Sequence, residues 1–182
     1  MKRQIRRKVF ETNSSSMHSL VLLKNSYTPD DKYKSIYLND DGVWEIWSCD
    51  SLTFGRAPFK CLSTFESKAR YAIASFCCYN EYADDKFEKI KQVVVNFIPE
   101  CKGIELPVDR FNDNKTFYGR TDENALGKFL EDEHVSLEEF LTNKKYIVIV
   151  DGDEYCIYED MKKSGIINCD NIAKEYPDSI YN

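Results

Sequence analysis

No stretch of this chain approaches the ~18 consecutive apolar residues needed to cross a bilayer, and no apolar signal segment follows its basic start, so neither a membrane span nor an export leader is expected. The seven cysteines (Cys49, Cys61, Cys77, Cys78, Cys101, Cys156, Cys169) are odd in number and never fall in Cys-x-x-Cys spacing. That excludes a legible disulfide framework or zinc site, and reduced thiols in a cytoplasm are the simplest account. The glycines that let backbone close on phosphate in a P-loop are missing, with no Gly-Lys-Ser or Gly-Lys-Thr; the sequence leaves any cofactor unknown, and the acidic pair in Asp151-Gly152-Asp153 is explained by a hairpin turn rather than a metal site. Internal repeats and a convincing linker are absent too.

What is present is a globular composition: 182 residues, 42% hydrophobic and 14% aromatic, enough for one domain spanning residues 1–182 around one core. The formal charge is −6, yet Lys2, Arg3, Arg6, Arg7 and Lys8 precede the first acid, so the rest of the chain is strongly acidic. A basic end could attract phosphate or an acidic partner, or guard an edge strand with charge. The acidic remainder argues against general nucleic-acid binding, which needs an extended basic face.

Residues 5–10 and 20–24 have strand density and bracket a polar loop. Asn39-Asp40-Asp41-Gly42 between residues 35–38 and 43–47 is hairpin chemistry, with Val43, Glu45 and Trp47 on one face and Trp44 and Ile46 on the other. Ser63-Thr64-Phe65-Glu66 reads as a capping box opening a helix to about Tyr79, with Ala69, Ala72, Ile73, Phe76 and Cys77 inward. A second helix, about Asp84 to Phe97, turns Phe87, Ile90 and Val94 inward and makes a helical hairpin with the first. Residues 103–108 form a short strand, 109–120 a long polar loop, and 123–132 a helix; Ser136-Leu137-Glu138-Glu139 caps another. Residues 145–150 and 154–158 read as a hairpin about Asp151-Gly152-Asp153, and the run Ile147 to Val150 suggests a strand covered on both faces. A last helix near 159–164 ends at Gly165. The expected class is α+β: a mixed, largely antiparallel sheet with a helical hairpin and short helices packed on it.

The polar loop is the chief candidate for chemistry. Thr12, Asn13, Ser14, Ser15, Ser16, His18 and Ser19 concentrate small hydrogen-bonding groups that could cradle a phosphate-bearing ligand, with Arg120 of the 109–120 loop as an anion clamp. The same residues are also what turns and helix caps prefer. His18 is a weak candidate general base beside a serine, with Glu11 the nearest orienting carboxylate. One of Trp44 and Trp47 is expected in the core and the other at the surface.

The opening Arg7-Lys8-Val9-Phe10-Glu11-Thr12-Asn13-Ser14-Ser15-Ser16-Met17-His18-Ser19-Leu20 resembles the N-terminus of small uncharacterised proteins of Gram-positive bacteria and their phages. Phe54-Gly55, Leu62-Ser63-Thr64, the helix with Lys68-Ala69-Arg70-Tyr71, and Gly165-Ile166-Ile167 are similar in order. The resemblance implies a phage or mobile-element setting in a host cytoplasm and supplies no catalytic residues. The expected function is an accessory protein that acts by binding a host, phage or defence protein, with inhibition of that protein as one form of the action; the alternative is a nucleotide- or phosphate-binding hydrolase or transferase using the His18 loop.

Overall fold

In the computed structural model, the described residues are 17–27, 36–47, 49–52, 54, 60–77, 84–107, 125–151, 165 and 168–177. Strands β1 (Met17–Leu23), β3 (Lys60–Leu62), β5 (Tyr146–Asp151) and β6 (Ile172–Pro177) form an antiparallel sheet in the order β3-β5-β1-β6. Strands β2 (Val43–Glu45) and β4 (Gly103–Glu105) pair in parallel as a separate ribbon. With helices α1 (Phe65–Cys77), α2 (Asp84–Phe97), α3 (Ala125–Asp132) and α4 (Leu137–Thr142), the class is α+β.

Strand β5 is the interior strand that its apolar run predicts. Ile147, Val148, Ile149 and Val150 are all fully buried. By alternation, Val148 and Val150 join Leu20 and Leu62 beneath the helices, while Ile147 and Ile149 join Val21 and Leu23 in a second cluster on the opposite face. Both edges of β5 are occupied: β1 pairs along Tyr146 to Asp151 and β3 pairs at Val148 to Val150. The expected hairpin partner of this strand, residues 154–158, lies outside the described residues. Turn chemistry is local, whereas β3 arrives from more than eighty residues upstream.

The Asn39 to Gly42 turn forms, with Asn39 Oδ1 accepting from the N–H groups of Asp41 and Val43 at 3.1 and 2.9 Å. Gly42 has φ +78°, and a Cβ there would lie 2.9 Å from the carbonyl oxygen of Glu100. Among the described residues one antiparallel bridge, Leu38 to Trp44, joins the two arms of the hairpin, while β2 pairs in parallel with β4. The facing is as expected: Trp44 and Ile46 are buried and Trp47 is 75% exposed.

Helix α1 opens one residue later than Ser63-Thr64-Phe65-Glu66 suggests. Thr64 Oγ1 accepts from the N–H of Ser67 at 3.1 Å and the Thr64 N–H donates to Ser67 Oγ at 3.1 Å, a reciprocal cap built on Thr64 and Ser67. Glu66 is thereby released to bind Arg70 one turn on. Helix α2 has the expected bounds and buries Phe87, Ile90 and Val94. The start of α1 meets the end of α2 through Phe65 stacked on Phe97 at 4.3 Å, the antiparallel meeting of a helical hairpin. Ser136 caps α4 as expected, accepting from the Glu139 N–H at 3.0 Å.

Candidate functional site

The polar loop is shorter than the sequence suggests, because Met17, His18 and Ser19 belong to β1. His18 stands opposite Val150 and Ser19 opposite Ile149, in continuous sheet register. Ser19 is 1% exposed, and its hydroxyl donates to Glu175 Oε1 on β6 at 3.0 Å. That hydroxyl spends its proton joining two strands. Thr12, Asn13, Ser14, Ser15, Ser16 and Arg120, together with Glu11, lie outside the described residues. Among the described residues no group of three or more His, Cys, Asp or Glu side chains could hold a metal ion, and no helix is long and apolar enough to cross a membrane. The thiol of Cys61 is held far from thiolate, pushed up to about 12 by burial.

A different site emerges from α1. The Thr64–Ser67 cap fixes the first turn, and the Lys68 N–H closes that turn on the Thr64 carbonyl at 3.0 Å. Lys68 then lies at i, i+4, i+8 with Ala72 and Phe76, on the inward face of the helix, and is 1% exposed. Its side chain crosses to the end of α4. There Nζ donates to the carbonyl oxygens of Phe140 at 2.7 Å and Asn143 at 2.9 Å, 5.5 Å from the centroid of the Phe140 ring. The last carbonyls of a helix have no partner within it, and a cation is the natural donor to them.

No carboxylate among the described residues forms an ion pair with Lys68. The nearest acid on its own helix, Glu66, accepts from Arg70 Nε and Nη2 at 3.0 and 2.9 Å, and Arg70 in turn lies 5.3 Å over the Trp44 ring. Removal from water without a counter-charge pushes the Lys68 amine down to about 7.

Beside Lys68 is a cavity of about 300 Å³. Its apolar walls are Ile36, Phe65, Phe97, Ile98 and Leu141, and its polar lining includes Ser63, Thr64, Thr142, Glu66, Lys68 and Lys144. Phe97 is 51% exposed, and Tyr37, next in sequence to Ile36, is 70% exposed. The arrangement can bury an apolar group and offer it a cation. Sequence reading placed no function on Lys68; the signal available was a lysine four residues before Ala72 and eight before Phe76, where the apolar stripe calls for a hydrophobe.

No protein-family model, curated protein or solved structure matches the chain. The site must be read from its own chemistry.

Proposed function

We propose that this protein works by binding another protein, as an accessory factor of phage or mobile-element type directed at a host or defence protein in the host cytoplasm. The contact face lies where the start of α1, the end of α2 and the end of α4 converge. The observation that carries this reading is the half-exposed Phe97, stacked on Phe65 over a cavity that already has apolar walls. Aromatic anchors beside a preformed hollow are what protein partners use, since burying a ring yields much free energy for little lost side-chain freedom. The phosphate-ligand enzyme reading gains nothing from Ser19, whose hydroxyl is engaged by Glu175.

The test is affinity capture from a Gram-positive host lysate with wild type, Phe97→Asp and Ser19→Ala. A single partner held by wild type and Ser19→Ala but lost from Phe97→Asp supports the reading. A partner retained equally by Phe97→Asp, or none at all, contradicts it.

A further inference from the structure

We propose that the cavity between α1, α2 and α4 receives the C-terminal residue of a partner polypeptide, its apolar side chain against Phe65, Phe97 and Leu141 and its α-carboxylate on Lys68 and Lys144. This rests on the binding role proposed above and names the chemistry of what is bound.

The first argument is the donor count at Lys68. An ammonium carries three N–H groups. Two are spent on the Phe140 and Asn143 carbonyls, at 2.7 and 2.9 Å. A third has no partner among the described residues, and no carboxylate neutralises the charge. A buried cation in this state is costly, and an incoming anion removes the cost. On α1 the acid at hand is Glu66, and Arg70 holds it through two hydrogen bonds. Among the described residues no acid is left to meet the Lys68 amine, which leaves it open to an anion from a partner.

The second argument is the composition of the cavity. Lys144 adds another cation to the lining, and Glu66, already paired with Arg70, is the one acid among the described lining residues. In a chain of net charge −6 this is a local reversal of sign, complementary to an anionic ligand. Amine and apolar wall together fit a group that is hydrophobic and negatively charged within a few ångströms, which describes a chain end with an apolar last residue. Capture of a terminal carboxylate is an established mode of peptide recognition.

The third argument is size. A cavity of about 300 Å³ is at the small end for ligand sites and suits one amino-acid residue better than a nucleotide. The exposed face of Phe97 then remains to contact the residues preceding it, which a free carboxylic acid would leave bare.

The experiment titrates full-length protein with N-acetyl-L-leucine, its carboxamide, the tripeptide acetyl-Ala-Ala-Leu and octanoate, following amide resonances of residues 63–68 and 140–144 by NMR. The expected result is that the acid binds about tenfold more tightly than the amide, the tripeptide more tightly still, and octanoate more weakly than the tripeptide. In Lys68→Met and in the exposed Lys144→Ala the preference for acid over amide shrinks. Because the wild-type comparison needs no variant, a Lys68→Met protein that fails to fold leaves the test intact. Equal binding of acid and amide overturns the carboxylate assignment while leaving an apolar binding cavity in place. Octanoate binding more tightly than the tripeptide overturns the chain end as the source. No binding of any probe overturns both the inference and the use of this cavity.

Discussion

The Nζ atom of Lys68 lies 2.7 Å from the carbonyl oxygen of Phe140 and is out of reach of every described carboxylate, so a buried amine ties α1 to the end of α4 through backbone alone. A charge placed this way couples the stability of the fold to pH and leaves an attraction for anions unspent. Both consequences are measurable.

Stability should rise with pH between about 7 and 9. Lys68 is lowered to about 7 in the folded protein, against an ordinary value of 10.5 when unfolded. Within that window the unfolded chain binds the proton and the folded chain releases it, so raising pH favours folding; below 7 both states are charged and the penalty is constant. From pH 7 to 8.5 the gain is on the order of 1.5 kcal/mol. Above 9 the rise levels off, because Cys61, which keeps its proton to about 12 when folded and loses it near 9 when unfolded, offsets Lys68; stability falls only above 10.5, where the unfolded lysine also loses its proton. Urea unfolding at pH 7 and 8.5 on wild type and Lys68→Met checks this; the variant should lose the rise.

Replacing His134 by glycine should stabilise the protein. His134 has φ +54° at the end of α3, where its N–H donates to the Glu131 carbonyl at 3.2 Å and the Val135 N–H to the Leu130 carbonyl at 3.0 Å. This is a Schellman closure with histidine at the position glycine prefers. Relief of the left-handed strain is about 1 kcal/mol, read as a higher midpoint in urea with unchanged slope.

Gly42→Ala should act in the opposite direction. Besides φ +78°, the new methyl would meet the Glu100 carbonyl oxygen at 2.9 Å, across the junction where the Lys102 N–H donates to the Gly42 carbonyl. A loss of about 2 kcal/mol is expected, measured by the same unfolding.

Ser19→Ala should cost about 1 kcal/mol through the lost bond to Glu175, and it should leave partner capture unchanged. A loss of capture at unaltered stability would restore Ser19 to a ligand site.

Much of the architecture was legible where the signal is local. The stripe Phe87, Ile90, Val94 and the proline after Ile98 bound α2, and the Ile147 to Val150 run marks an interior strand. Strands β3 and β6 were not legible. Three residues of β3 carry no periodicity, and β6, Ile-Ala-Lys-Glu-Tyr-Pro, is an edge strand with two adjacent charges and a terminal proline in place of apolar alternation; β1 and β5 supply the partners that make them strands. The candidate site was hidden for a related reason. Serine and histidine advertise chemistry in a sequence, whereas a lysine looks like solvent-facing charge until the fold brings the Phe140 and Asn143 carbonyls to it. A density of hydroxyls and amides drew attention to the polar loop, and its end proved to be the first three residues of β1.

The most direct measurement of the central claim is site-specific photocross-linking in host lysate, with a benzophenone amino acid at position 97 and, as control, at position 174 on the exposed edge strand. The account predicts one cross-linked partner from position 97 and none from 174. Cross-links of that partner from 174 alone, or equally from both, would contradict it.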